Sequence, residues 1–259
     1  MRKYNLILRA FVAMTMNIGA AAEPLPVRHI QDSMHRSMVA RSENGKTLAT
    51  GEFVQIVQGD QVTMRLTYKF VDGSLDDETM TYKQDGTFRL VRNHHIEKGP
   101  FFPKPVDFMV EAATGTATTR TEDRNGKIHI ESRHIDLPDD LANGFIGTLL
   151  LNVPPTVTPF RVGMLAPVGD GRLIRILISP AGEQPFRTNR QTLKAMLFRI
   201  HPELGGIVGM IASLIGLQPK DVVVWVLEGE QPAVVRIVGQ LGGYGPILSS
   251  ELEGASFDK

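Results

Sequence analysis

The chain has 259 residues, 28 Lys and Arg against 28 Asp and Glu, no Cys, and 42% hydrophobic residues. That length can bury a sizeable core, and the composition argues against a disordered or membrane-embedded chain. The absence of Cys excludes disulfides, thiolate metal sites and Cys nucleophiles, and the even charge argues against a nucleic-acid binder.

The first 22 residues read as an export signal. Met1-Arg2-Lys3 supplies positive charge, residues 10–22 are mostly apolar, and Ala20-Ala21-Ala22 forms a small-residue exit. The stretch is too short for a transmembrane helix, which needs about 20 apolar residues. Cleavage after Ala22 would leave a slightly acidic chain, placed in the periplasm or outside the cell. Residues 23–45, polar and carrying Pro24 and Pro26, read as an extended lead-in. Residues 46–259 read as one β-rich domain.

Strand patterns then dominate. In 61–70, Val62, Met64, Leu66, Tyr68 and Phe70 alternate with Gln61, Thr63, Arg65, Thr67 and Lys69, which predicts a half-buried antiparallel strand. Gly59-Asp60 joins it to a strand at 48–57. Asp85-Gly86 joins strands at 78–84 and 87–97, as Asp-Gly between β-formers does in hairpins. Further strands are expected at 114–122 and 127–137. A helix is expected at 140–151, with Asp139 as its N-cap and Leu141, Phe145 and Leu149 on one face. Strands follow at 161–167, 172–178 and 192–200, the last also compatible with a helix. A second helix is expected at 203–215, uncharged from Leu204 on and closed by Gly216. Strands at 221–227, covered on both faces, at 233–238 and at 247–252 complete the reading. The expected fold is α+β: a large, curved, mostly antiparallel sheet, a half-open barrel, with two helices packed on it.

Three stretches, FVDGSLDDETMTYKQDGTFRLVRNHHIEKGPFFP (70–103), DLPDDLANGFIGTLLLN (136–152) and HPELGGIVGMIASLIGLQPKDVVVWVLEGEQPAVVRIVGQLGGYGPI (201–247), resemble an uncharacterised family of exported bacterial proteins. That family has no assigned activity, so the resemblance transfers no functional residues. The layout is also similar to the periplasmic lipoprotein-carrier-like fold, in which a half-open β-barrel holds an acyl chain or other apolar ligand. The likeness is architectural, with no shared residue motif.

Candidate chemistry is sparse. In 87–97 the even positions are Phe88, Leu90, Arg92, His94 and Ile96. A regular strand would turn Arg92 and His94 inward as a polar lip, with Arg92 an anion anchor at the mouth. A bulge would reverse the register and turn them out. His94 and His95 point to opposite faces, so they cannot share a metal, and no zinc-site spacing is present. Asp76-Asp77-Glu78 reads as a solvated loop and Asp139-Asp140 as a helix cap. No nucleophile elbow, P-loop or dinucleotide fingerprint appears, and Ser213 has no adjacent base. No cofactor or metal is therefore expected.

The expectation is an exported, non-enzymatic protein that holds an apolar or amphipathic ligand, a lipid included, in the concave face of the sheet. Its lining residues would be Met64, Leu66, Tyr68, Phe88, Leu90 and His94, with Arg92 at the mouth. Two other readings stand beside it. One is an exported hydrolase or isomerase using His94 in the same cavity. The other is a structural or interaction protein of the envelope that pairs through an exposed edge strand.

Overall fold

Eight strands form an antiparallel meander through the first half of the chain: β1 (Met34–Ser42), β2 (Thr47–Gln58), β3 (Gln61–Phe70), β4 (Leu75–Asp85), β5 (Thr87–Lys98), β6 (Val106–Glu111), β7 (Thr116–Glu122) and β8 (Ile128–His134). A computed structural model describes residues 24–122, 125–154, 156–167, 171–187, 192–204, 219–229, 232–240, 245–253 and 256–257. The expected signal segment lies outside them, as does the expected second helix beyond Glu203 and Leu204. β3 has the bounds its alternation predicts. β1 lies inside the expected lead-in, and β6 lies where no strand was expected.

The second half adds β9 (Phe160–Ala166), β10 (Arg172–Arg187), β11 (Thr192–Glu203), β12 (Val222–Leu227), β13 (Ala233–Gln240), β14 (Ile247–Leu252) and β15 (Ser256–Phe257). Strand order is β15-β10-β11-β12-β13-β14-β1-β2-β3-β4-β5-β6-β7-β8, with β9 also paired to β10. The non-sequential pairing of β14 on β1 welds the two meanders into one sheet. The sheet curls until the start of β10 approaches β6 and β7. Gly171, at φ +100° just before β10, lies so close to Phe108 and Ala117 of β6 and β7 that a Cβ there would sit 3.2 Å and 3.4 Å from them. That approach is made by side-chain packing.

The expected α+β fold with two helices is overturned. Among the described residues, regular structure is nearly all antiparallel strand, and the one α-helix is α1 (Ile146–Leu150), five residues long. Residues 140–151 carry the right apolar spacing for a longer helix, but their first turn is recruited elsewhere. Leu141 bridges Gly163 of β9, whose N–H donates to the Asp140 carbonyl and whose carbonyl accepts from Ala142 N–H. Asp139 caps nothing and instead pairs with Arg89 at 3.2 Å. A 3-10 turn at Asn143–Phe145 then leads into α1. Gly144 and Gly147 each lower helix propensity by about 1 kcal/mol against Ala, so tertiary bonds win.

This connection enters the concave side of the sheet and fills it. Phe145, Leu149 and Leu150 are buried among Val62, Met64, Met80, Tyr82 and Phe88. The Phe145 ring stacks on Tyr82, centroids 5.1 Å apart, and Tyr82 meets Phe88 edge-on at 5.9 Å. Each such burial stabilises by roughly 1.5–3 kcal/mol, so the plug is an integral part of the core. Asn152 ties the plug to the lead-in: its Oδ1 accepts from the N–H groups of Arg28 and His29 at 2.8 Å and 2.7 Å. The lead-in in turn lies along β5, where Phe88 N–H donates to the Leu25 carbonyl at 3.1 Å.

A second cluster closes the other end. Phe70 stacks on Phe101 at 4.4 Å and meets Phe102 edge-on at 5.4 Å, beside the buried Tyr68 and Leu248. β11 and β12 are buried on both faces, as the continuous apolar run at 221–227 predicts: Val224 and Val226 face the main core, and Trp225 packs with Phe186 and Leu197 on the outside. No described helix is long and apolar enough to cross a membrane.

Candidate functional site

The sequence-predicted lining divides at a β-bulge. In the β4–β5 ladder Thr81 pairs with Arg92 and Tyr82 with Leu90, so Val91 is the extra residue. Before the bulge, Phe88 and Leu90 face the core. After it, Asn93, His95 and Glu97 face in, while Arg92 and His94 face out. Arg92 is half-exposed and its Nε pairs with Glu111 of β6 at 2.8 Å. His94 Nε2 meets Asp107 of β6 at 2.9 Å on that same outer face. The polar lip expected from Arg92 and His94 is therefore absent from the interior, and an active site built on His94 inside the barrel loses its geometry.

The remaining expected lining residues do point inward, mostly into packed side chains, with Tyr68 also bordering a small pocket of about 50 Å³ beside Leu248 and Ser250. Met64 lies in the main core against Thr148 of the plug. Leu66 is half-buried beside the second cluster, and Tyr68 is buried within it. Gly51 of β2 lets the Tyr68 ring lie flat across its strand, where any Cβ would collide with the ring, so its hydroxyl reaches Ser250 of β14. Burial pushes the Tyr68 phenol up to about 12.

A larger open space lies elsewhere. A cavity of about 220 Å³ lies between Leu25 of the lead-in, Phe88 of β5, Leu141, Phe145 and Leu149 of the plug, and Phe160 and Val162 of β9. Its rim carries Arg161 and Asp140. Arg161 forms a two-bond fork with Glu203, both at 2.9 Å. Asp140 is buried and accepts two bonds from Arg175, at 3.1 Å and 2.6 Å. Of the residues predicted to line a ligand site, Phe88 alone borders this cavity.

A buried polar cluster sits further along the same interior, and sequence reasoning missed it. The core phase of β4 runs Gln84, Tyr82, Met80 and continues backwards through Glu78 to Asp76. The acidic stretch is thus strand, not solvated loop. Glu78 pairs across the ladder with His95, and Asp76 with Glu97. His95 Nε2 is 2.9 Å from Asp76 Oδ1 and 3.7 Å from Glu97 Oε1. Glu97 is 3% exposed, and its Oε1 has no hydrogen-bond partner among the described residues. Glu78 Oε1 accepts from Asn93 Nδ2 at 2.9 Å. Asn93 is followed by Asn143 of the plug, which clamps Leu165 of β9 through both its N–H and its carbonyl. Burial pushes the Glu97 carboxyl up to about 7; Asp76 and Glu78 add to the rise and His95 opposes it. Burial alone would lower His95, but the bond to Asp76 and the charges of Glu78, Asp76 and Glu97 carry it up to about 9. Extending the period-two phase of Met80 and Tyr82 backwards was the signal that could have found these carboxylates.

No family model matches the chain. No curated protein matches it either. Among solved structures, the chain is similar to a crystal structure of a beta-barrel-like protein of a domain of unknown function, DUF1849, from Brucella abortus, with 8% identity, a TM-score of 0.46, and coverage of 89% of this chain and 100% of that one.

Proposed function

We propose that this is an exported, non-enzymatic barrel-like protein that binds a small apolar or amphipathic group in the cavity between the lead-in, the plug and β9. The observation that carries the reading is the cavity of about 220 Å³ walled by Leu25, Phe88, Phe145, Leu149, Phe160 and Val162. Its volume falls below the roughly 300–1,000 Å³ of sites that enclose drug-sized ligands. The occupant is therefore the end of one acyl chain or a compact ring, and not a whole lipid. Arg161 at the rim, rather than Arg92, is the cation placed to meet an anionic head. The N-terminal pattern of charge, apolar stretch and small residues supports export. Native mass spectrometry of the full chain with octanoate tests the binding. One octanoate per chain, lost in Leu149→Trp where the indole fills the cavity, is the expected result. No retained octanoate, or equal retention by the filled variant, would refute it.

A second reading rests on β8. Every residue of this strand is exposed, Ile130 among them, and among the described strands it pairs with β7 alone. Such an edge suits strand addition by an envelope partner. Proline at Ile130 would abolish that pairing and leave octanoate binding intact.

A further inference from the structure

We propose that Asp76, His95 and Glu97 form a binding site for one divalent first-row transition-metal ion, with Zn²⁺ the best match. Each residue presents one ligand atom, and the three atoms lie within 4.8 Å of one another. Ligands about 2.1 Å from a tetrahedral ion stand roughly 3.4 Å apart. The observed His95 Nε2 separations, 2.9 Å to Asp76 and 3.7 Å to Glu97, straddle that value. A small contraction on one side and expansion on the other would seat the ion.

Three features make this more than a cluster of acids. Glu97 Oε1 is buried and without a hydrogen bond, so a ligand there satisfies an oxygen the protein leaves unsatisfied. Asp76 and Glu97 face each other directly across β4 and β5, an arrangement that is repulsive unless something positive lies between them. Glu78, opposite His95, adds a third carboxylate, so one imidazolium offsets only one of three negative charges whereas a dication offsets two. The fixed geometry comes from the ladder itself. His95 and Glu97 are two apart on one strand and share a face, and Asp76 reaches them from the neighbouring strand.

The donor set decides the class of ion. One imidazole with two carboxylates suits Zn²⁺, Mn²⁺ or Fe²⁺ better than Ca²⁺, which takes 6–8 oxygens. The His95 side chain is 20% exposed, so the ion has a route from solvent. Glu78 held by Asn93, and Asn93 followed by Asn143 and the β9 backbone, supply the outer polar frame that keeps such ligands aligned. Other histidine–carboxylate contacts, the exposed His35 with Glu52 and the half-buried His201 with Asp221, bring one carboxylate to one imidazole and serve as internal controls.

The test is calorimetric titration of Zn²⁺ into the chelator-treated full chain, with visible absorption of bound Co²⁺ as a second readout. The expected result is one site per chain. Affinity should fall at least tenfold in Glu97→Gln, in Asp76→Asn and in His95→Gln, and stay unchanged in His201→Gln. The Co²⁺ bands should be lost in the same three variants. If one of the three fails to fold, judged by circular dichroism, the other two and the Co²⁺ spectrum decide. Absence of stoichiometric Zn²⁺ binding, or equal affinity in folded Glu97→Gln and Asp76→Asn, would overturn the proposal.

Discussion

Asp76 and Glu97 are cross-strand partners on the inner face of the sheet, both buried, with His95 Nε2 2.9 Å from the first and 3.7 Å from the second. Their proximity sets the pH response of the metal-free protein. Glu97 titrates near 7 when folded against an ordinary 4.5, and His95 near 9 against 6.5. The other groups facing them are Asp76 and Glu78 on β4 and, beside Asp76, Tyr68 on β3. Both shifts are upward, so the folded chain holds extra protons between about pH 4.5 and 9. The His95 contribution is fully present below 6.5 and lost as pH rises through 9. For Glu97 the same stabilisation is present below 4.5 and lost through 7. The urea midpoint should therefore fall from pH 5 to pH 9, and Glu97→Gln should flatten the lower part of that decline. A midpoint that rises over this range contradicts the cluster as described.

Arg175→Met should destabilise strongly. It leaves the Asp140 carboxylate buried without the two bonds that Arg175 supplies, and breaking a buried pair on one side costs about 3–5 kcal/mol. Because Arg175 is partly exposed, the lower end of that range is expected. Urea denaturation of the single variant and of Asp140→Asn/Arg175→Met checks it: the double variant should recover part of the loss.

Gly144→Ala should cost about 1–3 kcal/mol, the usual penalty for overpacking. A Cβ at Gly144 would overlap the Glu78 carboxylate and the Met80 methyl. Gly147, where the nearest atom would be Val234 Cγ2 at 3.6 Å, has room, and Gly147→Ala should be neutral or stabilising through helix propensity. Comparing the two thermal midpoints tests whether the plug sits as deep as the fold requires.

Much of the sheet was legible because alternation survives wherever one face is buried. β3 carries ten residues in strict phase, and its ends fall where the pattern stops. The inward set in β5 was not legible because a single extra residue, Val91, inverts every position after it, and nothing in its type marks a bulge. The helix at 140–151 misled for a different reason. Its apolar spacing is real, but that spacing serves a plug whose first turn bonds to β9, a contact 22 residues away in the chain at Asn143–Leu165. The buried carboxylates are hard to read because acidic runs usually lie in turns. Here they occupy the core phase of β4, where His95 partners Asp76 and Asn93 partners Glu78.

Phe145→Ala should cost about 3–5 kcal/mol, as truncation of a buried aromatic does. It removes the ring stacked on Tyr82 and enlarges the adjoining cavity. The same variant should accept longer acyl chains, with decanoate or dodecanoate retained where the parent chain retains octanoate. Native mass spectrometry of the three acids against both proteins reads this directly.

Methyl-detected NMR titration of the full chain with octanoate tests the binding account most directly. Saturable shifts at Leu141, Leu149 and Val162, with Leu248 in the far cluster unmoved, are the predicted result. Unmoved methyls around the cavity at saturating octanoate, or shifts scattered equally over both clusters, would contradict it.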